Sequence, residues 1–171
     1  TNNLNSITKL STTTWIAVGS SGTILSSSNA IAWTTQSSGT SNTLNAVTVA
    51  DLGGGTYKAL AVGASGIGVS SPDGITWSSA IANTATDPNG NTVSLSDLNS
   101  VSYYSFTPPG GVLTNLYVIT GDHGIVATST NSTTWFTKKT NTLSNFTSQT
   151  FVSSNFYFVG DVGLSYLTSQ D

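Results

Sequence analysis

Three times in this chain a glycine is followed, 14 residues later, by a tryptophan: Gly19 to Trp33, Gly63 to Trp77 and Gly121 to Trp135. The residues between them keep one order. An apolar segment ends in Gly-x-x-Gly, as in "WIAVGSSG" to Gly22, "ALAVGASG" to Gly66 and "YVITGDHG" to Gly124. A Ser, a turn and the Trp follow, as in "SSSNAIAW", "SSPDGITW" and "TSTNSTTW". A fourth copy, "FYFVGDVG", carries Gly160 and Gly163 and reaches Asp171 before any Trp. Ahead of each unit stands an L-N-x-V-like segment, at Leu4, Leu44 and Leu98, with a degenerate version, "LSNFTSQTF", from Leu143. A rigid spacing predicts paired strands that admit no insertion. Elsewhere the spacing varies, from 15 to 23 residues between Leu and Gly and from 8 to 21 between Trp and the next Leu. Those stretches are expected to be loops, where added residues cost little.

The unit reads as four short strands. The L-N-x-V segment is the first, and the second ends at Gly19, Gly63, Gly121 or Gly160. The Gly-x-x-Gly turn is expected to use the left-handed backbone conformations open to glycine. The third strand runs through "TILSS", "IGVSS" or "IVATS", and the fourth carries the Trp. Between these two, Pro72-Asp73-Gly74 is a strong turn signal, with Pro fixing φ and Gly accepting the left-handed position. Asn29-Ala30 and Asn131-Ser132 stand there in the sister copies. Four-stranded units repeated through a chain predict an all-β fold of the β-propeller kind, each unit one blade. The repeats span approximately 4–36, 44–80, 98–138 and 143–171, within a single domain or propeller segment covering 1–171.

Composition agrees with strands. Charged residues are only 6% of the chain: the seven acids are all Asp and the four bases all Lys. The residues that usually solvate helix surfaces are therefore nearly missing, while Val, Ile, Thr and aromatic residues run throughout. Without Cys there is no disulfide framework and no thiolate metal site. No apolar run is long enough for a membrane-spanning helix. A net charge of −3 with four Lys argues against nucleic acid as a partner, because phosphate binding needs clustered cations. A Thr/Ser/Asn-rich, charge-poor, Cys-free β chain suggests a secreted or cell-surface location, as in fibre and appendage proteins. Starting at Thr1, the chain is expected to be a processed product or an excised piece.

"VGASGIGVSSPDGITW" resembles the BNR or Asp-box repeat of sialidase-type propellers, and more closely the variant found in photosystem II assembly factor-like propellers. The resemblance extends over nearly the whole chain and is carried best by the second copy. It implies a propeller. It also raises sialidase-like catalysis, which grips the substrate carboxylate with an arginine cluster; this chain has neither Arg nor Glu. The assembly factors imply partner binding through a propeller face, in that family with help from Arg.

Most repeated residues are assigned to structure: Gly19, Gly22, Gly63, Gly66, Gly74, Gly121, Gly124, Gly160 and Gly163 to turns, and Trp33, Trp77 and Trp135 to packing between blades. Asp73 is expected to close its own turn. Trp15 and Tyr57 lie off the Trp register and are assigned to the core ahead of the surface. One propeller face should gather the link 83–97 and the Gly-x-x-Gly turns, and with them Asp87, Asp97, Asp122, Asp161 and the single His, His123. Those carboxylates are candidate Ca²⁺ ligands, weighed against the simpler reading that solvated turns favour Asp. The opposite face should carry the inserts 51–57 and 105–115, the second a candidate contact loop. His123 beside Asp122 makes no Ser-His-Asp triad, and no phosphate-binding loop precedes a helix.

The expectation is a non-enzymatic propeller module, without cofactor, for protein–protein assembly or adhesion. A lectin-like, glycan-binding propeller is the alternative, and a glycoside-hydrolase-related domain a weaker one. The thin fourth unit leaves three arrangements: a segment of a larger propeller, a ring completed by association, or a small four-bladed ring. Open edges invite pairing, so protein partners or self-association are expected through the edge and the inserted loops.

Overall fold

A computed structural model describes residues 2–107, 113–152, 155–161 and 163, and the backbone of 166–168. The chain forms four largely antiparallel sheets in sequence order, one for each repeat. Sheet one contains β1 (Leu4–Lys9), β2 (Trp15–Gly19), β3 (Ile24–Ser27) and β4 (Thr34–Gln36). Sheet two contains β5 (Leu44–Asp51), β6 (Tyr57–Gly63), β7 (Ile67–Ser71) and β8 (Ser78–Ala82). Next in the chain are β9 (Thr84–Thr86) and β10 (Thr92–Ser94). Sheet three is built on β11 (Leu98–Phe106), β12 (Thr114–Gly121), β13 (Val126–Ser129) and β14 (Phe136–Thr137). Sheet four has β15 (Phe146–Val152), β16 (Asn155–Gly160) and β17 (Tyr166–Thr168) among the described residues.

The repeat is a repeat of register. Leu4 faces Gly19, Leu44 faces Gly63, Leu98 faces Gly121 and Phe146 faces Gly160, and each first strand shifts register immediately afterwards. This corrects the fourth copy. Its first strand begins at Phe146, not Leu143, and Leu143 is exposed. Phe146 takes the Leu position because that position points into an apolar seam, which a Phe fills as well.

The first Gly of each turn also differs from expectation. Gly19, Gly63 and Gly121 are extended, with φ near −170° to −165°. What they require is space: a Cβ on Gly19, Gly63, Gly121 or Gly160 would run into the carbonyl oxygen of Asn3, Thr43, Asp97 or Asn145. The left-handed conformation falls on the last two turn residues, Ser21-Gly22, Ser65-Gly66 and His123-Gly124.

The sheets pack face to face in series. Ile16, Val18 and Ile24 of sheet one meet Leu44, Val47, Ala59, Ala61 and Val69 of sheet two. Leu60, Val62 and Ile81 of sheet two meet Leu98, Val101, Tyr117, Ile119 and Ala127 of sheet three. Val118 and Val126 of sheet three meet Phe146, Phe156 and Phe158 of sheet four. Each sheet thus shows one alternation of its second strand forward and the other backward, the period-two rule applied to a stack. Burial pushes the Tyr117 hydroxyl, which also lies near Tyr103, up to a pKa of about 12.

A polar tie accompanies each seam. The Asn that follows the Leu in the first strand donates Nδ2 to the backbone of the next sheet: Asn5 to Leu44 O (2.9 Å), Asn45 to Leu98 O (2.9 Å) and Asn99 to Phe146 O (3.0 Å). At the third seam, Gln149 of sheet four also reaches back to Val118 O at 2.6 Å. Asn45→Ala is expected to cost about 1 kcal/mol, the usual net value of one such bond. Asn45→Asp should cost more, because it sets a carboxylate oxygen against the Leu98 carbonyl with no proton between them. Urea denaturation of the two variants checks the order; equal losses would remove the tie from the argument.

The long link 83–97 corrects the expectation of a face loop. It folds into the β9–β10 hairpin, and β9 joins the outer edge of sheet three beside β14, with Phe136 opposite Thr86. The Trp135 carbonyl accepts the Thr86 N–H at 2.8 Å. A strand that leaves sheet two covers the edge of sheet three, an edge that would otherwise be open to pairing.

Candidate functional site

The antiparallel pairings bring the loops between first and second strands, and the turns between third and fourth strands, to one end of the stack. The Gly-x-x-Gly turns and the chain's passage to the next sheet lie at the other.

At the first end the third-to-fourth turns are three copies of one network. Asp73 Oδ1 accepts from Ile75 N and Thr76 N, both at 2.8 Å, and from Ser71 Oγ at 2.9 Å. Asn29 Oδ1 does the same with Ile31 N, Ala32 N and Ser27 Oγ, and Asn131 Oδ1 with Thr133 N, Thr134 N and Ser129 Oγ. The left-handed residue is Gly74 in the second copy, but Ala30 (φ 60°) and Ser132 (φ 66°) in the others. Side-chain capping holds these two in a conformation that a Cβ disfavours.

The backbone N–H groups of Thr76 and Ile75 hold the Asp73 carboxyl below the usual carboxylate range. A depressed carboxyl stabilises the fold above its unfolded pKa, near 4. That stability is lost as pH falls through the lower, folded value. Asp73→Asn keeps the acceptor, as the sister copies do, so its thermal midpoint should match wild type near neutral pH and fall less in acid. Asp73→Ala loses the cap, at about 1 kcal/mol. Thermal melts from pH 7 to below 4 separate the two.

Between the Asp-type turns of sheets one and two lies a cavity of about 460 Å³, lined by Thr14, Ser26, Ser28, Gln36, Asp73 and Ile75 among others. The same end exposes large aliphatic side chains: Ile31 and Ile75 on the turns, the second of them lining the cavity, and Leu52 and Leu113 on the first-to-second-strand loops. Leu52 opens a loop with three consecutive left-handed glycines, Gly53, Gly54 and Gly55, where Asp51 Oδ1 accepts the Gly53 N–H at 2.9 Å. Of the insert 105–115, residues 108–112 lie outside the described residues.

The repeated Trp residues precede the fourth strands and differ in depth. Trp135 is buried and donates Nε1 to Ser132 O at 3.3 Å, whereas Trp77 and Trp33 are half-buried. Trp77 packs on the seam of sheets one and two, and its Nε1 is buried without a partner among the described residues. Beside it is a smaller cavity of about 240 Å³, lined by Ser38, Thr40, Ser78 and Ser79. Trp15 is half-buried under Lys9, whose Nζ lies 5.3 Å from the ring, and Tyr57 is half-buried against the same seam as Trp77.

Three of the four candidate Ca²⁺ ligands turn their carboxylates to backbone and neighbours. Asp97 Oδ1 accepts Ser65 N of the previous sheet at 2.7 Å, and Asp122 Oδ1 accepts Asn99 Nδ2 at 2.8 Å. Asp87 closes the β9–β10 turn through Asn89 N and Asn91 N, and the Asn91 amide chiefly holds its carboxyl below the usual range. Asp161 is exposed, with its N–H on Asn145 O at 3.1 Å. Among the described residues no three His, Asp, Cys or Glu side chains converge on a metal site. His123 Nδ1 lies 3.2 Å from Ser96 Oγ, with the His exposed. No helix among the described residues is long and apolar enough to cross a membrane.

No family model and no curated protein matches the chain. Among solved structures it is similar to YCF48 bound to D1 peptide. That likeness is 14% identical, covers 100% of this chain and 94% of the other, and has a TM-score of 0.30. At that score the likeness bears on neither fold nor function.

Proposed function

We propose that the four sheets are blades of a β-propeller of the Asp-box kind, and that the chain is a non-enzymatic extracellular module for protein–protein assembly or adhesion. One observation carries the reading. Ile31, Ile75, Leu52 and Leu113 are all exposed at the same end of the stack, where Ile75 also lines the 460 Å³ cavity. Large aliphatic side chains set on turns that rigid sheets hold in place suit a protein surface, where a few well-placed apolar anchors supply most of the affinity. The low charge and hydroxyl-rich surface support the extracellular assignment.

Glycan binding is the second reading, favoured by the smaller cavity, where the half-buried Trp77 lies beside Ser38, Thr40, Ser78 and Ser79. A peptide display library panned on the chain, run beside a glycan array, distinguishes the two. Peptide binders are expected whose affinity falls about tenfold or more in Ile75→Lys and Leu113→Lys. Saturable glycan hits abolished by Trp77→Phe, with no peptide binders, would turn the assignment to a lectin.

A further inference from the structure

We propose that the cavity between the Asp-type turns of sheets one and two is a receptor for a lysine side chain, with the ammonium on the Asp73 carboxylate and the methylene stem along Ile75. This rests on the reading of that end as a protein-binding surface, and it names the side chain the surface takes. The turn itself does not need the charge of Asp73. Asn29 and Asn131 stand in the same position and accept the same set of hydrogen bonds through a neutral amide oxygen. In the second copy Ser71 Oγ, Ile75 N and Thr76 N all donate to Oδ1 of Asp73. Oδ2 takes none of these three bonds and is the oxygen left for a ligand. The groups that draw the carboxyl below its usual range are backbone N–H groups and hydroxyls, and no Lys is among them. Among the described residues, Asp73 is thus an exposed carboxylate without a cation of its own chain.

The cavity wall matches the donors of an ammonium. Its volume of about 460 Å³ lies toward the small end of ligand pockets, which run from about 300 to 1,000 Å³. Ser26, Ser28, Thr34 and Gln36 line it together with Asp73, the one charged residue on the wall. Gln36 donates Nε2 to Ser26 Oγ at 2.8 Å, so its Oε1 is the acceptor end of that amide. An ammonium carries three N–H donors and no acceptor. The wall offers it a carboxylate oxygen, an amide oxygen and hydroxyl oxygens. Arginine fits less well. Its fork is strongest when it meets both oxygens of a carboxylate, and Oδ1 of Asp73 already serves three donors. A compact point charge suits the single oxygen that remains. Ile75, 59% exposed, lies on the same wall, where the apolar stem of a lysine can cover it while the charged head stays at the polar groups.

Titration of Nα-acetyl-lysine amide into the chain, followed by proton–nitrogen correlation spectra, tests the site. The amide signals of Ile75 and Thr76, which donate to Asp73, are expected to shift saturably. Those of Thr133 and Thr134, which donate to Asn131 at the sister turn, should stay in place. Acetylating Nε of the probe should weaken binding about fivefold, the worth of one partly exposed ion pair, and this arm needs no variant. Asp73→Asn should weaken binding by the same factor. A thermal midpoint matching wild type shows that its turn is intact and that the loss is one of charge. Nα-acetyl-arginine amide should bind more weakly than the lysine probe. Shifts shared equally by both turns, binding indifferent to Asp73→Asn, an arginine probe that binds as tightly, or no saturable response each overturns the inference. A saturable response to methyl glucoside alone overturns it in favour of a sugar site. Panned peptides separate this inference from the reading it rests on. Peptide binders that depend on Leu113 but carry no lysine remove the lysine site and keep the assembly surface. Saturable binding of the lysine probe with no peptide binders keeps the site and removes the assembly surface.

Discussion

Gly63→Ala is expected to destabilise the chain by about 3 kcal/mol or more, at the upper end of what overpacking costs. A methyl group there would collide with the Thr43 carbonyl oxygen and press to 2.9 Å from Leu44 Cα. Neither obstacle can retreat. The Thr43 carbonyl accepts Ala64 N at 2.9 Å, and Leu44 is fully buried in the seam with sheet one. Gly54→Ala is the control. Gly54 has φ of 60° but nothing near its added Cβ, so only the left-handed penalty of about 1–2 kcal/mol applies. Urea denaturation of both variants reads the difference. Equal losses would mean that Gly63 is there for its backbone angle, and the extended φ of −170° would then have no bearing on its identity.

That contrast shows where the sequence is legible. Gly-x-x-Gly marked the turn correctly, but the two glycines serve different needs. The second has a left-handed φ, a local property that a motif conveys. The first has a close approach to a strand some 20 residues earlier in chain order, and spacing alone cannot distinguish the two. Asp73, Asn29 and Asn131 act through neighbours two and three residues away, so their turns could be read from short segments.

The seam ties have a signature in the sequence. Asn5, Asn45 and Asn99 recur directly after the Leu in all three L-N-x-V segments, an odd choice for a strand interior, where Asn is disfavoured. A repeated residue of poor strand propensity was itself the signal for a bond outside the strand. The hairpin in the link was also available, since Asp87-Pro88-Asn89-Gly90 lies between the alternating "TAT" and "TVS". Its place on the edge of sheet three was not, because that pairing joins residues about 50 apart. Likeness to the other copies points to Leu143 as the start of the fourth, whereas the hairpin pairs Phe146 with Gly160.

Phe146→Ala should have the other large effect, and a local one. Phe146 is fully buried between sheets three and four, 5.5 Å from Phe158 between ring centroids and packed with Val118 and Val126. Emptying that volume costs about 3–5 kcal/mol. Its carbonyl also accepts the Asn99 tie, which depends on the strand staying in place. In a serial stack each sheet is held by its neighbours, and among the described residues sheet four packs on sheet three alone, so the loss falls first on sheet four. Hydrogen exchange is therefore expected to accelerate in β15 and β16 while β5 to β7 stay protected. Leu60→Ala, in the seam between sheets two and three, should instead raise exchange on both sides of the cut. If Phe146→Ala loosened all four sheets together, the units would be folding as one block, and the stack could not be treated as a series of separable seams.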